Sequence, residues 1–327
     1  MAVLYVTSSE GATGKTTICA GIGKHLLDNG HKIGFLEPLI SDKTADNSCT
    51  FIKHIFDLDE SVDSLCPVVS GQKDLKSSLK EACARVSSGK DVVIMEGTGA
   101  QSQIDYATVQ ALGAKVIVVE GYPVKTGFAN KYKDFGKSLL GVVLNRVPRN
   151  KLEQERNEAS VQLGKAGINI LGVLPEDRLL CSLTVGELAE HLHGEIMNSV
   201  EESAELVENF MLGAMTVDTG TDYFGRKANK AVVVRSERPD MQLAALETPT
   251  RCLVVSGEAE LLSAVRYGAE SKKVPIISVK GDTDATVTAI EDALGKARFN
   301  QEKKLPRLAA IMEQNFDFQA LYQGLGL

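Results

Sequence analysis

The sequence predicts an α/β protein: a three-layer domain on a mainly parallel sheet, followed by a smaller α/β domain. Three observations carry that prediction. An apolar run, Val3 to Val6, leads through Ser8-Ser9-Glu10-Gly11-Ala12-Thr13-Gly14-Lys15-Thr16-Thr17 into an amphipathic stretch from Ile18 to Leu27, the order strand, tight loop, helix. Apolar strand patterns then alternate with helical ones, as a parallel sheet requires. The alternation resumes after residue 210 without a second such loop, so the later region is not a copy of the first.

A loop between strand and helix lets backbone N–H groups converge on a phosphate chain, with the positive end of the helix facing the same charge. The expected fold of the first region is therefore the P-loop NTPase domain and the expected guest is nucleotide phosphate. Gly11, Thr13 and Gly14 would form the cradle, Lys15 would reach the β and γ phosphates, and Thr16 and Thr17 follow, the Thr16 hydroxyl completing the coordination of Mg²⁺. The pattern G-x-x-x-x-G-K-[ST] is departed from at its first glycine, where this chain has Ser9.

Beyond the first helix, Asn29-Gly30-His31 signals a turn and Lys32 to Leu36 a second strand, ending at Glu37-Pro38. Loops after strand ends line the ligand crevice of an open parallel sheet, so Glu37, Ser41, Asp42 and Asp46 should border the phosphates. Asp46 is a candidate supporting ligand for the metal, against the plainer reading of a solvated loop acid. Residues 51 to 90 read as helical, broken at Pro67-Val68-Val69. Lys90 to Glu96 is a buried strand whose tip is an acid followed by Gly97-Thr98-Gly99. A carboxylate there can hold Mg²⁺ directly or through water while the glycines admit the γ-phosphate. Glu96 and Lys15 are the candidate catalytic residues.

Two more strands follow, Lys115 to Glu120 and Leu140 to Arg146. Asn145 stands at a carboxyl end, where its amide could both donate to and accept from a purine edge, or serve as a turn residue. Ile170 to Asp177 is the last strand of this region, with Pro175 turning the chain across the base. Val185 to Phe210 reads as an acidic helical connector. The expected domains are thus residues 1–195, a connector at 196–210, and 211–327 with a C-terminal helical tail. In the last, Arg235-Ser236-Glu237-Arg238-Pro239-Asp240 is a polar loop at a carboxyl edge, suited to a small ligand or braced by an Arg238–Asp240 pair.

Composition narrows the function. A net charge of −7, with basic and acidic residues interspersed, gives no patch for nucleic acid, and Trp is absent. The six cysteines are spread without a Cys-x-x-Cys pair and read as buried thiols in a reducing compartment. His191 and His193 read as surface residues. No apolar run approaches the roughly 20 residues of a membrane span, so a soluble, cytoplasmic protein with no membrane partner is expected.

The loop Ser8 to Thr17, the strand end at Glu96 and Asn145 in Gly141-Val142-Val143-Leu144-Asn145-Arg146 together resemble dethiobiotin synthetase and its P-loop relatives. The resemblance implies ATP and Mg²⁺ as cofactors, with Thr16, Glu96 and Asp46 at the metal and Asn145 at adenine. Glu10 stands where relatives that hydrolyse ATP as dimers carry a second lysine, which disfavours that subclass. Glu37 stands where dethiobiotin synthetase has a lysine, so dethiobiotin synthesis is not expected. Met211 to Val234 and Arg238 to Thr248 resemble a DRTGG domain, and the two domains in this order are similar to the regulatory N-terminal region of long phosphate acetyltransferases; no acetyltransferase domain, and no acetyltransferase activity from this chain alone, is expected. The resemblance implies a regulatory or sensor module that forms a homodimer or higher oligomer, takes a small-molecule effector at the second domain and acts on an acyl-phosphate enzyme. The alternatives are an ATP-dependent ligase that activates a carboxylate or carbamate as an acyl phosphate, and an interaction protein with a decayed loop.

Overall fold

The computed structural model describes residues 1–38, 47–68, 75–97, 99, 102–124, 128–214 and 220–327. They form two compact units, Met1–Asp177 with Phe299–Leu327, and Arg178–Arg298.

The first unit runs β1 (Ala2–Thr7), α1 (Lys15–Asp28), β2 (Ile33–Leu36), α2 (Asn47–Ile55), α3 (Val62–Leu65), α4 (Leu75–Ser87), β3 (Val92–Glu96), α5 (Ser102–Leu112), β4 (Lys115–Gly121), β5 (Leu139–Val147), α6 (Leu152–Lys165) and β6 (Ile170–Pro175). Among the described residues these strands form one six-stranded sheet in the order β2-β3-β1-β4-β5-β6, every neighbouring pair parallel. Leu4, Val6, Val93, Ile94, Val118 and Val143 are wholly buried, as strands covered on both faces require. Strand order reverses around β1, because the chain crosses from β1 to the β2 edge and then returns through β3 to β4. With right-handed crossovers the reversal opens a crevice at the carboxyl ends of these strands.

The second unit contains β7 (Leu183–Thr184), α7 (Val185–His191), β8 (Glu195–Ile196), β9 (Leu206–Val207), β10 (Asn209–Leu212), α8 (Gly220–Phe224), β11 (Lys230–Arg235), α9 (Pro239–Leu246), β12 (Thr250–Ser256), α10 (Ser263–Ser271), β13 (Ile276–Val279) and α11 (Thr283–Gly295). Its main sheet, β10-β11-β12-β13-β8, is parallel except for β8 at one edge. Alternation splits its core: Val232, Val234 and Leu253 pack with Met241 and Phe224, while Ala231, Val233 and Val254 pack with Leu188 and Ile290.

Two expected boundaries are corrected. The helical connector over 185–210 is not a helix throughout: a capping box between Thr184 and Glu187 starts α7, and it ends at His191. His193 has φ 49°, and a side chain at Gly194 would meet Ile277, so the chain leaves the helix and lays β8 on the second sheet. The second unit therefore begins near Arg178 rather than at 211.

The C-terminal tail belongs to the first unit. Its helices α12 (Leu305–Asn315) and α13 (Phe318–Leu325) bury Leu308, Ile311, Met312 and Leu321. A methyl at Gly21 of α1 would run into the sulfur of Met312, and His25 stacks on Phe318 with ring centroids 3.5 Å apart. Arg307 donates to the buried Asp177 carboxylate at 2.7 Å, tying α12 to the chain just after β6.

Candidate functional site

The turn between β1 and α1 is held open by backbone conformation. Gly14 sits at φ 93°, ψ 30°, and a Cβ there would collide with the Asn145 amide, so only glycine serves. No side chain caps α1, which leaves its first N–H groups for an incoming acceptor. Gly11 lies in the turn with open space where its Cβ would be. Thr17 falls in the first turn of the helix, and the buried Thr13 hydroxyl oxygen has no hydrogen-bond partner among the described residues.

Lys15 and Thr16 meet β3 at its tip. The Lys15 ammonium lies 3.4 Å from the Ser8 hydroxyl, and the Thr16 hydroxyl donates to Glu96 Oε1 at 2.9 Å. Gly99, at φ 71°, comes so close that a Cβ would stand 3.0 Å from Lys15 Nζ. The other oxygen of Glu96, Oε2, is buried and has no hydrogen-bond partner among the described residues. Burial foremost, then the nearby Glu37 charge, pushes the Glu96 carboxyl up to about 8, against the lowering pull of Lys15 and the Thr16 hydrogen bond. A desolvated carboxylate oxygen beside a threonine hydroxyl suits a hard divalent cation, so the residues present fit Mg²⁺. Asp46, the other expected metal ligand, lies outside the described residues, as do Ser41, Asp42 and Thr98.

Asn145 and Pro175 stand at the carboxyl ends of β5 and β6. Asn145 faces the loop: its amide donates to the Thr13 carbonyl at 2.9 Å, so here it braces the cradle from beneath. Pro175 is buried and pairs with Val147.

Sequence reasoning missed two carboxylates. Glu120, at the end of β4, accepts from the Ser9 hydroxyl at 3.0 Å and from the Tyr132 hydroxyl. Ser9, the departure from the glycine pattern, thus has a partner that glycine could not reach. Asp105 accepts from Tyr5 at 2.6 Å and from Thr7, fixing the strand that feeds the loop. Burial raises both carboxyls above their ordinary values. The available signal was an acid ending an apolar strand in Glu120, as in Glu96; Asp105, inside a helix, gave none.

Two of the six cysteines come together: Cys49 and Cys66 face each other with their Cα atoms 6.5 Å apart, because α2 and the end of α3 fold over one another after β2. A separation of 17 positions forms no recognisable motif. Glu37 Oε2 accepts from Ser48 at 3.1 Å and lies 3.3 Å and 3.8 Å from the sulfurs of Cys49 and Cys66.

In the second unit, the loop after β11 opens onto a cavity of about 510 Å³ at the carboxyl edge, lined by Arg235, Glu237, Ser256, Asp282 and Thr283 among others. Arg238 donates to Asp240 at 2.8 Å, the bracing pair. No helix among the described residues is long and apolar enough to cross a membrane.

Comparison with known proteins agrees with this division. Residues 2–182 match the model of an AAA domain and residues 187–293 that of the DRTGG domain. The phosphate acetyltransferase of Nitratidesulfovibrio vulgaris is 23% identical over 359 aligned positions, which cover 97% of this chain and 51% of that protein. The chain thus spans about half the length of this curated relative. Among solved structures, the cell division protein MinD of Aquifex aeolicus is 18% identical with a TM-score of 0.39, covering 55% of this chain and 84% of that one. The CBS and DRTGG domains of the regulatory region of Clostridium perfringens pyrophosphatase, complexed with the activator diadenosine tetraphosphate, are 11% identical with a TM-score of 0.33, covering 46% and 74%. With its loop, strand-tip acid and parallel sheet, the chain belongs to the AAA domain family over residues 2–182, carries a DRTGG domain behind it, and is homologous to phosphate acetyltransferase.

Proposed function

We propose that the first unit binds ATP with Mg²⁺ and that the chain works as a regulatory or sensor module of the kind found at the N-terminus of phosphate acetyltransferases. The observation that carries this reading is Glu96 Oε2, buried beside Thr16 and Lys15 with no hydrogen-bond partner among the described residues. Thr16 and Glu96 would hold the Mg²⁺, which neutralises phosphate oxygens when bound. Lys15 and the free N–H groups at the start of α1 would bind the phosphates, while Asn145 keeps the loop open for them. A ligase of the dethiobiotin synthetase kind would need a cation where Glu37 stands; a nucleotide-sensing module does not.

Occupancy can regulate only if nucleotide binds two states of the protein unequally. In this reading a homodimer or higher oligomer responds to nucleotide, takes a small effector at the cavity beside Arg235, and biases an acyl-phosphate enzyme in the cytoplasm. Calorimetric titration with ATP, ADP, GTP and cyclic dinucleotides, each with and without Mg²⁺, tests it. An adenine nucleotide should bind tightly with Mg²⁺, turning over slowly and without dependence on any metabolite. A Lys15→Ala protein with unchanged ATP affinity would overturn the reading, and ADP release that rises sharply with one metabolite would favour a ligase.

A further inference from the structure

One group of side chains near the phosphate loop has no part in the scheme above. Glu37 follows β2, Cys49 lies in α2, and Cys66 caps α3. Both cysteines are buried, and the carboxylate oxygen and two sulfurs all lie within 4.8 Å of one another. The thiols of Cys49 and Cys66 stand 3.3 Å and 3.8 Å from Glu37 Oε2 and point their donors at it. The Cα separation of 6.5 Å is also toward the wide end of what a disulfide spans.

A tetrahedral zinc ion, with bonds of roughly 2.3 Å to sulfur and 2.0 Å to oxygen, places its sulfur and oxygen ligands about 3.5 Å apart. The two sulfur–oxygen separations bracket that edge, and the two sulfurs would part to about 3.7 Å to admit the ion. We propose that, with both cysteines reduced, Glu37, Cys49 and Cys66 bind a thiophilic divalent cation of the Zn²⁺ class. Two thiolates and a carboxylate select such an ion over Mg²⁺, which prefers oxygen ligands throughout. Binding releases the two thiol protons to solvent and leaves three negative ligands around a doubly charged ion. Three protein ligands leave a fourth tetrahedral position for water or an incoming ligand atom. Ser48, already donating to Glu37 at 3.1 Å, would orient the carboxylate. The ion would pin the segment after β2 to α2 and α3, and it explains an acid at position 37 without giving it a role toward phosphate.

The test uses the full chain, stripped of metal with a chelator and kept in a phosphine reductant. Titration with Co²⁺ should produce a saturable thiolate-to-cobalt charge-transfer band, and Zn²⁺ should abolish it. The band should vanish in Cys49→Ser and Cys66→Ser and persist in Cys83→Ser. Glu37→Gln, which keeps shape and so guards against misfolding of the cysteine variants, should weaken Zn²⁺ by about tenfold or more. Glu96→Gln should leave the band in place; its loss there would put cobalt at the phosphate loop and overturn the proposal. Absence of the band in the reduced protein, unchanged Zn²⁺ affinity in Glu37→Gln, or a Cys49–Cys66 bond that the reductant does not open would each overturn it as well.

Discussion

The side-chain amide of Asn145 donates to the carbonyl of Thr13 across 2.9 Å, joining the end of β5 to the turn after β1, 132 positions away in the chain. Asn145→Asp would turn a carboxylate oxygen toward that carbonyl. An unmade hydrogen bond at a buried acceptor costs about 1–3 kcal/mol, so chemical denaturation of the nucleotide-free first unit should show a loss of that size and ATP should bind more weakly. A variant that altered only the preference for ATP over GTP, at full stability, would make Asn145 a reader of the base instead.

Lys15 makes a different case. Among the described residues its ammonium makes a long, 3.4 Å hydrogen bond to Ser8, so Lys15→Ala should leave unfolding of the nucleotide-free protein nearly unchanged. Against phosphate the same ammonium forms charge-assisted hydrogen bonds, each contributing roughly 1.5–3 kcal/mol. ATP affinity by calorimetry should therefore fall about tenfold to a hundredfold.

What was legible in the sequence follows from how local each signal is. The strand, loop and helix around Lys15 are contiguous, and each buried parallel strand announces itself as an apolar run, so the first sheet and its loop could be read directly. Glu96 was readable because an acid at a strand tip has few reasons to be there except a cation or a polar loop. Asp105, Tyr132 and the meeting of Cys49 with Cys66 depend on which elements become neighbours, and no spacing encodes that. The tail misled for the same reason. The apolar stripe of α12 and α13 shows that some surface will cover it, but only the small residue at Gly21 and the ring at His25 decide that it is the first unit.

The position of that tail makes its own prediction. Leu321 is wholly buried in α13, within the first unit. Leu321→Ala removes three carbons from a packed site and should destabilise the first unit by about 2–5 kcal/mol. Denaturation followed by loss of nucleotide binding should shift to lower denaturant. Were the tail part of the second unit instead, nucleotide binding would survive to the denaturant concentration of the unaltered protein.

Glu96 links stability, metal and pH. Burial and Glu37 raise its carboxyl from the ordinary 4.5 to about 8, so near neutrality the folded protein keeps a proton that the unfolded chain has already released. Stability from that proton is fully present below the unfolded value and is lost as pH rises through the folded one. The nucleotide-free protein should therefore melt at progressively lower temperature from about pH 5 to pH 8, and Glu96→Gln, which cannot titrate, should flatten that slope. Magnesium must displace the same proton. Its apparent affinity should climb with pH by up to about tenfold per unit below 8 and level off above, because one proton is exchanged per ion bound. Titration of Mg²⁺ in the presence of ATP at several pH values reads this directly. An affinity that stays flat between pH 6 and 8 would mean that Glu96 is already ionised when the cation arrives, and that the buried Oε2 is satisfied by something other than the metal.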